Sequence, residues 1–106
     1  MIDNEEIKKI VRIIVDEHDP IKVVLFGSCA MGNISRDSDV DLIVVKVSDK
    51  PRFQRGIEIR RSLMGTGVPI DLLVYTPEEF EDAKNTRFSF LSMSLKGSKV
   101  LYEKQV

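Results

Sequence analysis

Cysteine is nearly missing from this chain. Cys29 stands alone among 106 residues, so no disulfide framework can form within it, and a reducing compartment is its natural setting. Long apolar runs are missing too. None exceeds strand length, which excludes a bilayer-spanning helix of about 20 residues. The start, Met1-Ile2-Asp3-Asn4-Glu5-Glu6, lacks the positive charge and apolar core of a signal or transit peptide. Neither sign of charge dominates: 16 basic against 17 acidic residues leave a net charge of −1, with no global pull toward nucleic acid or anionic membrane. No repeat of fixed period and no low-complexity tract interrupts the sequence. Together these absences predict a cytoplasmic protein with no membrane partner and no strong nucleic-acid signal. What is present, 42% hydrophobic and 31% charged residues, suits a soluble globular chain. The expectation is one domain, residues 1–106, with one modest core. Any large ligand then lies in an open cleft or is completed by a partner.

Ile7, Ile10, Val11, Ile14 and Val15 recur at the spacing of an amphipathic helix. Asp3 and Glu6 resemble its capping box, and Asp19-Pro20 ends it. Residues 21–26 form a β-rich run closed by Gly27, residues 28–32 a turn that opens a short helix, and residues 33–38 a polar loop. Strands are expected over 40–47 and 69–75, separated by a helix over 51–64 that Gly65 and Gly67 break. Thr76-Pro77-Glu78-Glu79 is a helix start, with Thr as N-cap, Pro in the first turn and Glu at the third position. That helix fades near Asn85. A last helix over 88–96 stops at Gly97, and Val100-Leu101-Tyr102 makes a short final strand. The order α-β-(α)-β-α-β-α-α is that of an α/β chain.

The two central strands begin alike: Val40-Asp41-Leu42-Ile43-Val44-Val45 and Ile70-Asp71-Leu72-Leu73-Val74-Tyr75. A carboxylate at an apolar strand start is costly to bury unless it is paired, solvated or bound to a cation. Two in matching positions, with a third at Asp39, ask for a common explanation. Residues i and i+2 of a strand share a face, so Asp39 and Asp41 point the same way. A β-helix-β crossover joins parallel strands. Parallel neighbours put Asp41 and Asp71 at the same end of the sheet. Adjacent strands then bring all three carboxylates within about one strand spacing, roughly 5 Å. Hard dications such as Mg²⁺ accept such oxygen ligands together with substrate phosphates.

Gly27-Ser28 supplies the phosphate side. Gly27 permits close backbone approach, the N–H groups after it donate to phosphate oxygens, and Ser28 adds a hydroxyl. These residues end the first strand, whereas the aspartates begin theirs. For the two to face each other, the first strand must run antiparallel to the second, so a small mixed sheet packed with helices is expected. A P-loop is excluded, because Asn33-Ile34 stands where Lys-Ser/Thr is required. No Gly-x-Gly-x-x-Gly follows a strand, so a dinucleotide-binding fold has no support.

Gly27-Ser28, ten residues, then Asp39-Val40-Asp41, with Ser38 and Leu42 around the pair and Ile70-Asp71-Leu72-Leu73-Val74 further on, resembles the signature of the DNA polymerase β-type nucleotidyltransferases. The likeness covers residues 23–73 and more loosely 97–103. The short length resembles the minimal nucleotidyltransferase branch, found beside HEPN-type proteins in toxin–antitoxin modules. The resemblance implies a nucleotidyltransferase fold and a two-metal transfer. Asp39, Asp41 and Asp71 would be catalytic, all three as Mg²⁺ ligands, with Asp71 also helping to activate the attacking group. Gly27 and Ser28 would hold the triphosphate of ATP or another NTP. It further implies AMP transfer to a protein hydroxyl, with this chain the antitoxin and a HEPN-type helical toxin its partner. Two alternatives stand beside that reading: an antitoxin that neutralises its toxin by contact alone, and a small-molecule nucleotidyltransferase of the aminoglycoside-modifying kind. The loop Cys29-Ala30-Met31-Gly32 departs from the family pattern. It carries no positive charge, Arg36 being the nearest basic residue, and this favours the contact inhibitor.

Other residues have plainer expectations. His18 is read as a cation near helix-end carbonyls, and Cys29 has no acid–base partner that would make it a nucleophile. Arg52, Arg55, Arg60 and Arg61 are assigned to the solvated face of the crossover helix, with a role in steering phosphate or RNA as the alternative. Phe88, Phe90, Leu91, Met93 and Leu95 are apolar on more than one helix face. They divide between core packing and a patch for a second copy of the chain or a helical partner.

Overall fold

The structure is a computed structural model that describes residues 4–32 and 39–105, the side chain of Ser28 excepted. The expected Asp3 cap, the polar loop over 33–38 and Arg36 lie outside the described residues. Element order is α1 (Asn4–His18), β1 (Lys22–Phe26), α2 (Gly27–Ala30), β2 (Val40–Val45), α3 (Arg52–Leu63), β3 (Ile70–Tyr75), α4 (Pro77–Asn85), α5 (Phe90–Ser94) and β4 (Lys99–Glu103), with a 3₁₀ turn after α3.

The sheet runs β3-β2-β1-β4. β2 and β3 are parallel neighbours joined across α3, while β1 is antiparallel to both β2 and β4. This is the expected mixed sheet. Both faces are covered, which is why the central strands read as near-continuous apolar runs rather than alternating ones. On one face Val23, Leu25, Val40, Leu42, Val44, Leu72 and Val74 pack beneath α1 and α3, through Ile7, Ile10 and Ile14 and through Ile59 and Leu63. On the other, Val24, Phe26, Ile43, Val45 and Tyr75 meet Phe80 of α4 and Leu91 of α5. α4 starts with the expected capping box: Thr76 Oγ1 accepts from the Glu79 backbone N–H, and the Glu79 carboxylate accepts from the Thr76 N–H.

Four expectations need correction or refinement. Arg55 is not on the solvated face: it is buried at 7% exposure. Its Nε donates to the Lys50 carbonyl, and its two Nη groups donate to the Glu79 carboxylate at 2.7 and 3.3 Å. Arginine tolerates such burial because its planar fork finds a bidentate partner. His18 stands in the last turn of α1 as expected, but its ring is also engaged across the helices. Its Nε2 lies 2.7 Å from Ser62 Oγ, tying α1 to α3, and burial and then Lys46 lower its pKa. The last helix is shorter than expected, because Phe88 takes a left-handed φ of 62° and Ser89 becomes the N-cap, its side chain accepting from the Ser92 N–H. β2 ends at Val45 rather than at residue 47, since the Lys46 N–H to the Tyr75 carbonyl is the last bond that β3 offers.

Candidate active site

The register of the two parallel strands decides where the carboxylates fall. Asp41 of β2 stands directly opposite Asp71 of β3, and on its other side Asp41 faces Phe26, the last residue of β1. Side-chain alternation puts Asp41 and Asp71 on the face that α4 and α5 cover. Those short helices leave this end of the face open: Asp71 is exposed and Asp41 only partly buried. Asp39 precedes β2 rather than lying in it, and is exposed. Its backbone carbonyl accepts from Cys29 Sγ at 3.4 Å, which fastens the start of β2 to α2.

Gly27 ends β1 and opens α2 at a φ of +74°. Its backbone lies hard against Asp41. A Cβ at Gly27 would collide with Asp41 Oδ2 and stand 3.2 Å from Cγ, so the Asp41 side chain would have to turn aside to admit it. The close approach expected of this glycine is therefore made first to a carboxylate of the chain itself. Ser28 follows in α2, and its hydroxyl lies outside what the structure describes.

The electrostatics mark the same spot. Burial, then the Asp71 and Asp39 carboxylates, push the Asp41 pKa above its ordinary value. The Cys29 thiol is pushed up by burial and then by Asp41 and Asp39, which keeps it protonated and agrees with its expected lack of nucleophilic character. Three like charges thus act on one another at one end of the sheet. Among the described residues, no group of three or more acidic, His or Cys side chains is placed so that it could hold a metal ion.

Sequence reasoning missed the neighbours of this end. Arg60 of α3 donates from Nη1 to the Ile70 carbonyl at 3.3 Å, and its Nη2 lies 3.9 Å from Asp71 Oδ1. Phe90 of α5 meets the Phe26 ring edge-on with centroids 6.1 Å apart, so an exposed aromatic flanks the site. Neither contact has a local signal, since each joins residues far apart in sequence through the sheet order.

A family model, the nucleotidyltransferase domain, matches residues 7–102. The chain belongs to this family. The chain is a nucleotidyltransferase. A Methanocaldococcus jannaschii protein that bears the provisional name of protein adenylyltransferase is 34% identical over 82 residues, spanning 76% of this chain and 77% of that protein. A solved structure from Sulfolobus solfataricus, provisionally assigned as a nucleotidyltransferase, shares the fold at a TM-score of 0.65. It is 20% identical and covers 94% of this chain and 79% of its own. A toxin–antitoxin structure with AMP-PNP gives a TM-score of 0.67 at 21% identity, over 97% of this chain and 76% of that one.

Proposed function

We propose that this nucleotidyltransferase moves AMP from ATP onto a hydroxyl of a partner protein, and that it acts as the antitoxin toward a HEPN-type toxin. The observation that carries the reading is the Asp41–Asp71 register, with Asp39 two residues before Asp41 and Gly27 pressed against the Asp41 carboxylate. The adenylyltransferase name of the archaeal relative and the AMP-PNP of the toxin–antitoxin structure support the choice of donor and acceptor. The exposed ring of Phe90, which meets Phe26 next to Asp41, supports a protein partner, as do the exposed side chains of Phe88 and Met93 nearby in sequence.

The residues fit Mg²⁺. Their donors are carboxylate oxygens, one partly buried and two exposed, and Mg²⁺ takes one or two carboxylates and completes its shell with water and substrate phosphates. A pre-closed cage of three side chains is not what such an ion needs. Asp39, Asp41 and Asp71 would hold it, and when bound it would offset charge on the attacking and leaving oxygens. The chain's own residues do the rest. Gly27 and the N–H groups that follow it receive the triphosphate. The acceptor oxygen bonds to the α-phosphorus as the bond to the bridging oxygen of the β-phosphate breaks, and pyrophosphate leaves. Asp71, on the edge strand and open to solvent, faces the incoming hydroxyl and helps draw off its proton.

The test uses two labels. With the partner co-purified and Mg²⁺ present, label in the α-phosphate of ATP should pass to the partner, and label in the γ-phosphate should not. Transfer of neither, or of γ-label alone, counts against the reading. One observation favours a second reading, an antitoxin that inhibits by contact alone. The segment after Gly27-Ser28 is Cys29-Ala30-Met31-Gly32, two buried residues and two exposed ones without charge, and it offers no cation to the phosphates.

A further inference from the structure

Beyond the site, the edge of β3 and the flank of α3 form an open groove of about 470 Å³. Arg52, Gly56 and Arg60 follow one another at i, i+4 and i+8 along it. Its charged lining is therefore a guanidinium at each end, about 12 Å apart along the helix. Both are held: Arg52 stacks on the Tyr75 ring at 4.7 Å, and Arg60 reaches the Ile70 carbonyl and Asp71. Phe53 and Ile57 form an apolar wall, at 68% and 46% exposure.

Gly56 is the second observation. In a helix interior glycine costs about 1 kcal/mol relative to alanine, yet nothing in the fold requires one here. Among the described residues, a Cβ at residue 56 would meet no atom within 4 Å, and its φ is not positive. Without a side chain at residue 56, the groove floor between the two arginines is low.

We propose that this groove docks an acidic segment of the protein acceptor, an inference that rests on the protein-acceptor reading above. Charge complementarity selects the occupant, since two fixed guanidiniums with an apolar wall between them fit carboxylates flanking an apolar or aromatic side chain. The 12 Å span matches about four residues of extended chain. Position agrees, because the Arg60 end adjoins Asp71, so a segment lying in the groove delivers a neighbouring hydroxyl to the site.

The probe is a fluorescent random copolymer of glutamate and tyrosine, with a lysine–tyrosine copolymer and a single-stranded RNA as comparisons, followed by anisotropy in Mg²⁺ at low salt. The wild type should bind the glutamate–tyrosine polymer in preference to both. Gly56→Leu fills the floor with a better helix former, so it should keep or raise the melting temperature while weakening binding about tenfold. Arg52→Glu should weaken it similarly. Polymer binding that both variants leave unchanged, no binding by the wild type, or a preference for RNA would overturn the proposal. Binding that Gly56→Leu weakens supports the groove even if the wild type transfers no label from ATP; the catalytic reading then fails and the docking surface stands.

Discussion

Asp41 sits where function and stability pull apart. Its folded pKa is raised, so the folded state holds that proton more tightly than the unfolded chain does. The sign follows: the cost of ionising Asp41 is absent below its ordinary pKa and is paid in full once pH exceeds the raised value. At neutral pH without metal, Asp41→Asn should therefore raise the melting temperature, and it should abolish the further rise expected of the wild type with Mg²⁺ and ATP. Differential scanning fluorimetry with and without Mg²⁺–ATP reads both effects. Gly27→Ala goes the other way. It places a Cβ in the Asp41 carboxylate at a left-handed φ, and the backbone strain alone costs about 1–2 kcal/mol. A lower urea midpoint together with weakened nucleotide binding is expected. A neutral Gly27→Ala would mean that Asp41 is free to swing away from the glycine.

At the scale of elements, the Arg55–Glu79 pair joins the crossover helix to the start of α4. One Glu79 carboxylate serves the buried guanidinium and the Thr76 N–H together, and those bonds bring its pKa down to about 2 from 4.5. A depressed folded pKa stabilises above the unfolded value and is lost as pH falls through the folded one. The wild type should thus lose urea resistance between about pH 5 and 2 more steeply than Glu79→Gln does. Glu79→Ala, which strands the Arg55 charge in the core, should cost about 3 kcal/mol at pH 7. Arg55 and Arg60 also reach the Val74 and Ile70 carbonyls. These point away from β2, so two guanidiniums blunt the free edge of β3 against pairing with another chain.

At the scale of the molecule, the sheet was legible because each strand has its own pattern and the two Asp-bearing starts required matched parallel neighbours. The antiparallel first strand followed from chemistry, since Gly27-Ser28 and the aspartates had to share one end. What escaped was nonlocal. Arg55 looks like any helix arginine until Glu79 is brought beneath it, and Arg60 meets Asp71 only because α3 crosses back over the edge strand. Phe88 and Ser89 fit the apolar helical pattern and still lie outside α5, because a serine that can cap competes with helix continuation.

The central claim is that the three aspartates perform transfer as well as binding, and Asp71→Asn tests it most directly. Asparagine keeps the shape and removes the charge of an exposed residue on the edge strand, so the fold and the complex with the partner should both survive. Wild-type protein with α-labelled ATP and Mg²⁺ should label the co-purified partner, while the same complex made with Asp71→Asn should remain unlabelled. Equal labelling by both proteins, or none by the wild type, would contradict the account and leave contact inhibition in its place.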